Sequence, residues 1–357
     1  MLKKIITTAA AAFTVSLLTG AGGTQPALTG KLMYHSYSSY EARDSRLYVY
    51  DCKEKTSRCI NDEITGVYDL MNGNFGCSPD DIVFMGLTGT GNNADWNIYR
   101  YNLRFHTLAD LVPDSGLREE DVKFSPDGCT VVYKQGRWDH IGSTMRYNIA
   151  ALDLITGESR LITDDDDEES MPYFTSDGQS VLYTKGTGAD SGIYMKNIYP
   201  GDEKCLYDPD DICAYYPVVH NDRICFTAWN RSDNHNDGIF RYISEYLPAQ
   251  AVITDPGFNC SDACFVDDTD IIISSSQNGH YDLFAVNTDN DAKTELCDVN
   301  SQLNELGADY FDCDKYYETA EGMKNWLLGV SGQMPEGGDV DMDGKITVRD
   351  YCLLGGQ

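Results

Sequence analysis

The sequence lacks several patterns that would point directly to a reaction or a partner. It has no C-x-x-C pair, which argues against a zinc ribbon. It has no G-x-S-x-G elbow, which argues against a serine peptidase of the α/β-hydrolase type. Basic residues are scarce, since 27 Lys and Arg face 57 Asp and Glu, and the net charge is -30. Such a chain does not bind nucleic acid or anionic membranes by bulk electrostatics.

Long apolar runs are also missing, apart from one near the N-terminus. Lys3 and Lys4 precede an apolar stretch from Ile5 to Leu18, and small residues follow it. The stretch is too short for a membrane anchor and nothing like it recurs. We therefore expect a secretory signal peptide over residues 1–21 and a secreted, extracellular protein without membrane insertion.

The twelve cysteines do not form the regular spacing of a disulfide scaffold. Cys52 and Cys59 lie on the two arms of a predicted hairpin, where a bridge could form. Cys225 and Cys264 instead lie within apolar strand patterns, where Cys acts as a small hydrophobic residue. The sequence leaves the redox state of the thiols open.

Helical periodicity is scarce between residues 27 and 300, where short runs of Val, Ile, Tyr and Phe alternate with Gly, Asp, Asn and Pro turns. One phrase recurs, as in VKFSPDGCTVVYK and PYFTSDGQSVLYT. Its turns lie 51, 47, 50, 44 and 46 residues apart, at Gly30, Asp81, Gly128, Gly178, Asp222 and Asp268. Units of this length predict four-stranded propeller blades, so we expect an all-β, six-bladed β-propeller over residues 27–304.

The phrase F-S-P-D-G from Phe124 to Gly128, followed by an apolar strand and an I-Y or L-F strand, resembles the TolB-like, WD-type propeller repeat. The resemblance implies a closed ring of six blades around a central channel, with binding on one face. It implies no reaction, because the family includes binding and assembly proteins as well as substrate-gating domains of peptidases.

Unusual residues fall in the predicted loops between the second and third strands of the units. Aromatic rings with polar neighbours could stack on sugar rings or grip an extended peptide, whereas the alternative is that each Trp packs against its own blade. The candidate ligand-binding residues are Trp96, Trp138, His140, Trp229, Arg231, His235, His280 and Tyr281.

Two further features can be interpreted either as functional or as purely structural. His235 and His280 occupy equivalent loop positions, where they could serve a metal or catalytic site, although simple filling of a turn explains both. The acidic run from Asp164 to Glu169 could attract a cation, but adjacent like charges favour a solvated loop. Paired carboxylates for glycoside hydrolysis stay open, because only their separation in space would identify them.

The pattern changes after about Leu303, where a helix-like stretch and a Gly/Pro break precede GDVDMDGKITVRD. Its alternate carboxylates and following Gly344 match the EF-hand loop, in which the chain wraps around one hard cation. We therefore predict a Ca²⁺ site. Its expected ligands are Asp339, Asp341, Asp343, Lys345 through its carbonyl, Thr347 and Asp350.

An Asp at the last loop position, the Gly-Asp start and the flanking KNWLLG and DYCLL resemble a dockerin, which would form a small α-helical, EF-hand-like module over residues 305–357. The resemblance implies calcium-dependent attachment to the cohesin of a scaffoldin in a cellulosome, with Val348 and Arg349 facing the cohesin. The first of the two expected loops is degenerate, because Tyr310 stands at its first position and Lys315 replaces its Gly.

These features together predict a secreted, cellulosome-associated monomer whose propeller binds a plant cell-wall polysaccharide or a protein partner. The missing catalytic patterns favour binding over catalysis. The main alternative is a propeller-type carbohydrate-active enzyme, either a polysaccharide lyase or a glycoside hydrolase. A third reading is an envelope assembly protein of the translocation type.

Overall fold

A computed structural model describes most of the chain. The described residues are 28–113, 115–140, 142–232, 236–290, 292–330, 335, 337–340, 347 and 350. The expected signal peptide lies outside them. No helix in these segments is long and apolar enough to cross a membrane.

The strands form six antiparallel sheets of four strands each, which confirms the predicted propeller of six blades. Blades 1 to 3 contain β1 (Lys31–Tyr37), β2 (Arg46–Asp51) and β3 (Thr56–Cys59); β4 (Tyr68–Phe75), β5 (Asp81–Thr88), β6 (Asp95–Asn102) and β7 (Thr107–Asp110); and β8 (Arg118–Phe124), β9 (Thr130–Asp139), β10 (Thr144–Asp153) and β11 (Ser159–Leu161).

Blades 4 to 6 follow the same order from the inside of the ring to the outside. They contain β12 (Glu169–Phe174), β13 (Ser180–Lys185), β14 (Gly192–Asn197) and β15 (Glu203–Tyr207); β16 (Ile212–His220), β17 (Arg223–Asn230), β18 (Gly238–Arg241) and β19 (Gln250–Ile253); and β20 (Cys260–Phe265), β21 (Asp270–Ser275), β22 (Asp282–Asn287) and β23 (Lys293–Glu295).

The ring is closed by β24 (Asn304–Phe311), which supplies the inner strand of blade 1. It pairs with β1 from Lys31 opposite Phe311 to Tyr37 opposite Asn304. The first blade therefore combines strands from both ends of the propeller. The sheet continues to Phe311, beyond residue 304, where the sequence pattern placed the end of the repeats.

We call the face on which the inner strands begin the loop face, because it carries the loops between the second and third strands. The opposite face, with the turns between the first and second strands, is the turn face. At Gly128 and Gly178 these turns have φ of 66° and 67°. The side chain of Asp127 accepts a hydrogen bond from the N–H of Cys129 at 3.0 Å, and Asp177 does the same for Gln179. The structure thus has Asp-Gly turns at the predicted positions.

Each inner strand carries a bulge at the same place. The residue at the bulge has a left-handed φ of 50° to 60° in all six inner strands, and these residues are Asn72, Asp121, Met171, Tyr216, Asp262 and Gly307. Four of them, from blades 2 to 5, line one narrow cavity, so the bulges surround the central channel.

The hydrophobic core lies between neighbouring blades. Val83 and Ile98 of blade 2, for example, pack with Val131 and Tyr133 of blade 3, and all four are fully buried. A single blade is too small to cover both of its faces, so the core forms only when the ring is assembled.

A single helix, α1 (Cys313–Leu327), follows β24 directly. Asp312 caps it by accepting a hydrogen bond from the N–H of Lys315 at 2.9 Å. Its buried residue Met323 packs with Val340 and with Cys77 on the turn face of blade 2. The described residues of the tail show this helix and do not show a dockerin fold.

Cys52 and Cys59 are free thiols. The bridge considered for this pair is therefore not formed.

Candidate functional site

The candidate ligand-binding residues lie on the loop face, but they do not form one site. Trp96 is half-buried on β6 in blade 2, and Trp229 is half-buried on β17 in blade 5. Trp138 and His140 are exposed on blade 3. His280 and Tyr281 precede β22 in blade 6, and His235 lies outside the described residues.

Several of these residues are held by the chain itself. The Nη1 of Arg231 donates to the carbonyl of Asp210 at 2.9 Å. The Nε2 of His280 lies 3.0 Å from the carbonyl of Ser301 and 3.4 Å from Oδ1 of Asp282. The hydroxyl of Tyr281 accepts a hydrogen bond from Asn259. Such contacts are expected if these side chains serve the structure of the loops.

Blade 3 has the most open arrangement on the loop face. Its strands β9 and β10 have ten residues each, and they pair from Thr130 opposite Asp153 to Asp139 opposite Thr144. The inner strand β8 reaches only to Gly136, so the last part of this hairpin projects beyond the sheet. Trp138 sits on the projecting part, with half of its side chain exposed (50%).

A groove of about 560 Å³ runs beside this hairpin. Its walls carry both charges and neutral hydrogen-bonding groups. They are formed by Gln135, Arg137, Trp138, Asp139, His140, Arg146, Asn148, Leu161, Asp164 and Asp165. Arg146 pairs with Asp139 at 3.0 Å and also with Asp166. Within the part of the chain that the structure describes, the side chain of Arg137 forms no ion pair or hydrogen bond, so its guanidinium is available to a ligand.

The acidic run forms one wall of this groove and is more ordered than a solvated loop. The ammonium of Lys185 lies 2.6 Å from Asp165 and 3.0 Å from Glu203. It also lies 3.9 Å from both Asp167 and Glu169. Lys185 on the neighbouring blade is therefore the counter-ion for carboxylates of this run.

Glu169 is fully buried at the end of the run. Its Oε2 accepts hydrogen bonds from Asn148 at 3.0 Å and from Thr163 at 3.1 Å. Burial, and then the neighbouring carboxylate of Asp165, raises the pKa of Glu169 to about 8. This carboxyl group is therefore protonated at neutral pH.

The central channel contains a second polar site, which the sequence pattern did not reveal. A cavity of about 290 Å³ opens at the turn face. Its polar lining includes Asn74, Lys123, Tyr173, His220 and Asp309. A signal was present in the inner strands, because EEDVKF and ELGADYF place charges in segments that are enclosed on both sides. These charges can be recognised as a site only when one knows which strand of each blade faces the channel.

Burial shifts the titration of several channel groups. It raises the pKa of Asp309 to about 6 and that of Asp262 to about 7. It lowers the pKa of His35 to about 3. The neutral His35 accepts a hydrogen bond through Nδ1 from the N–H of Asn72 at 3.4 Å, so it has a structural role between blades 1 and 2.

No three His, Cys, Asp or Glu side chains among the described residues come together as a metal site. Most of the predicted calcium loop, including Asp341, Asp343 and Lys345, lies outside those residues, as do Val348 and Arg349.

The described part of the loop has an ordered closing residue. Asp350 is fully buried, and its carboxylate accepts hydrogen bonds from the N–H groups of Val340 at 2.8 Å and Thr347 at 2.7 Å. The Thr347 hydroxyl also donates to it at 3.0 Å, so Val340 and Thr347 together hold this carboxylate in place.

No protein-family model matches the chain. No curated protein matches it either. Solved structures do share the fold. TolB from Acinetobacter baumannii is 16% identical, with a TM-score of 0.62, and the match covers 82% of this chain and 68% of that one.

Two enzymes are also similar in fold. Hydrazine synthase from Kuenenia stuttgartiensis is 12% identical with a TM-score of 0.64, over 80% of this chain and 47% of that one. An oligogalacturonate lyase from Vibrio parahaemolyticus is 12% identical with a TM-score of 0.52, over 74% and 79%. Identities this low establish the fold alone. The chain is a six-bladed β-propeller with the TolB-like fold.

Proposed function

We propose that this protein is a secreted binding component of a polysaccharide-degrading complex. In this proposal the groove on blade 3 binds a plant cell-wall polysaccharide, and the C-terminal tail attaches the propeller to a cohesin in a calcium-dependent way. The observation that carries the proposal is the exposed Trp138 on a projecting hairpin beside a polar groove.

The chemistry of the groove suits a sugar chain. An indole face stacks on the apolar face of a sugar ring, while neighbouring polar groups bond its hydroxyls. Arg137 and His140 line the groove and can provide such bonds, and its volume of about 560 Å³ has room for more than one ring.

Binding is favoured over catalysis because carboxylates at the groove are engaged in ion pairs, Asp139 with Arg146 and Asp165 with Lys185. The rival proposal is a carbohydrate-active enzyme, and the fold similarity to an oligogalacturonate lyase makes pectin an essential test substrate.

The test measures binding and turnover together. The protein without its signal peptide is titrated with soluble oligosaccharides of pectin, xylan and cellulose by calorimetry, and the mixtures are analysed for reducing ends and unsaturated products. We expect binding of at least one oligosaccharide, weakened about tenfold or more by Trp138→Ala, since about 1.4 kcal/mol corresponds to a factor of ten.

Tyr246→Ala is a matched control, because Tyr246 is an exposed aromatic residue (86%) in the loop between β18 and β19 of blade 5, away from the groove. It should leave binding unchanged. New reducing ends or unsaturated products would overturn the non-catalytic proposal, and equal binding by wild type and Trp138→Ala would exclude the groove on blade 3.

A further inference from the structure

Lys123 is the one cation in the described wall of the channel cavity at the turn face. The residue is only 8% exposed, and its side chain lines both this cavity and the narrow part of the channel beside it. Across the described segments its ammonium forms no hydrogen bond and no ion pair. Unlike the Nη1 of Arg223, the ammonium is not a fully enclosed atom without a partner, so it faces the space of the cavity, where a ligand can contact it.

The carboxylates near Lys123 are engaged elsewhere. Asp309 accepts a hydrogen bond from the N–H of Phe75 at 2.7 Å, and Asp121 accepts one from Asn72 at 2.7 Å. Lys123 interacts electrostatically with Asp309 and with Asp262, but it forms no ion pair with either in the described segments. Asp309, which lines the cavity, can still accept hydrogen bonds from hydroxyl groups of a ligand, because a carboxylate offers about four acceptor positions.

Two more cations stand near the same opening. Arg223 lies next to His220 in the hairpin of β16 and β17, and its buried Nη1 has no hydrogen-bond partner. Lys315, in the first turn of α1, also acts electrostatically on His220. Neither side chain forms an ion pair with the described residues. Asp268 and Asp267 act on His220 in the opposite sense, so charges of both signs surround the opening, and Lys123 is the cation that lines the cavity itself.

We propose that the turn-face cavity of the channel binds a small hydroxy acid, with Lys123 as the partner of its carboxylate. The cavity of about 290 Å³ accommodates a group of the size of one sugar acid. The remaining polar walls, formed by Asn74, Tyr173, Asn221 and Asp309, bond its hydroxyl groups.

The test compares acids with neutral sugars of the same shape. D-glucuronate and D-galacturonate are titrated into the mature protein by calorimetry, beside D-glucose, D-galactose and inorganic phosphate. We expect saturable binding of at least one sugar acid and at least tenfold weaker binding of its neutral counterpart. Stronger binding of phosphate than of either acid would overturn the hydroxy-acid assignment, and equal binding of acid and neutral sugar would exclude Lys123 as the recognition group.

Variants locate the site. Lys123→Met should abolish the binding, whereas Lys53→Met, a change at an exposed lysine, should leave it unchanged. Because the ammonium of Lys123 forms no hydrogen bond or ion pair in the described segments, Lys123→Met should melt at about the same temperature as the wild type. A clear fall in its melting temperature would show that the chain itself uses the charge, and would contradict the proposal.

A measurement on the wild type avoids dependence on any variant. The resonance of the Lys123 side chain in a lysine-labelled sample should shift on addition of the acid and stay in place with the neutral sugar. An unmoved Lys123 resonance would refute the assignment. The site is independent of the groove on blade 3, which lies on the loop face, so Trp138→Ala should not change this binding.

Discussion

At the scale of single residues, Gly128 combines two constraints on one turn. Its φ of 66° lies in the left-handed region, and a Cβ added there would stand 2.8 Å from the sulfur of Cys77 on blade 2. Gly157 in the same blade has a similar φ of 74°, but open space surrounds its missing side chain. A comparison of the two glycines therefore distinguishes the effect of backbone strain from the effect of contact between blades.

We therefore predict that Gly128→Val destabilises the protein by about 2–4 kcal/mol, whereas Gly157→Val costs about 1 kcal/mol. Urea unfolding followed by fluorescence gives both values. Oligosaccharide binding per folded molecule should stay unchanged in both, because neither turn touches the groove. Equal destabilisation by the two substitutions would show that the contact with Cys77 does not matter.

His35 shows why individual roles were hard to predict from the sequence. Its imidazole accepts the bulge N–H of Asn72, and the hydroxyls of Thr184 and Thr227 do the same for Tyr216 and Asp262 in other blades. One histidine and two threonines thus fill equivalent structural positions. A sequence pattern finds no common residue there, because any acceptor of suitable length satisfies the backbone.

At the scale of elements, the link from blade 3 to blade 4 ends in the buried Glu169. Its pKa of about 8 lies above its ordinary value of 4.5, so the folded protein keeps the proton over a range in which the unfolded chain has lost it. The unfolded state binds fewer protons in that range, and stability therefore falls as pH rises from about 4.5 to about 8.

Glu169→Gln should remove this part of the pH dependence. Glutamine retains an oxygen that can accept the hydrogen bonds from Asn148 and Thr163, but it cannot ionise. We expect the variant to gain on the wild type by at least about 1 kcal/mol between pH 5 and pH 8. Thermal unfolding across this range measures the gain. Glu158→Gln, at an exposed site, is the control, and parallel curves for Glu169→Gln and wild type would contradict the assignment.

The strand and turn pattern allowed the blades to be predicted because each repeat contains its own alternation and its own turn. The inner strand of blade 1 was harder, since β24 pairs with β1 across more than 260 residues and carries ELGADYF without a repeat phrase. The candidate sites also divide into features that the local sequence shows and features that depend on distant parts of the fold. Trp138 is visible in the sequence, whereas the cavity around Lys123 depends on the positions of four other blades.

At the scale of the whole molecule, ring closure and the tail are physically continuous. The closing strand β24 ends at Phe311, and α1 begins two residues later at Cys313. The ring of Tyr316 packs against Phe311 with centroids 5.5 Å apart. Met323 then contacts Val340, whose N–H is bonded to Asp350. An unbroken series of contacts thus connects the expected calcium loop to the strand that closes the propeller.

This continuity predicts that calcium stabilises the propeller as well as the tail. If the loop binds calcium only when folded, the ion adds about 2.7 kcal/mol at a concentration 100 times its Kd, and the gain should appear in the melting of the β-sheets. Calorimetry should show one site, lost in Asp339→Ala and Asp343→Ala, while Asp289→Ala in blade 6 keeps it. No uptake, or uptake unchanged in both loop variants, would exclude the EF-hand assignment. Uptake without any change in sheet melting would show that the tail folds independently of the ring.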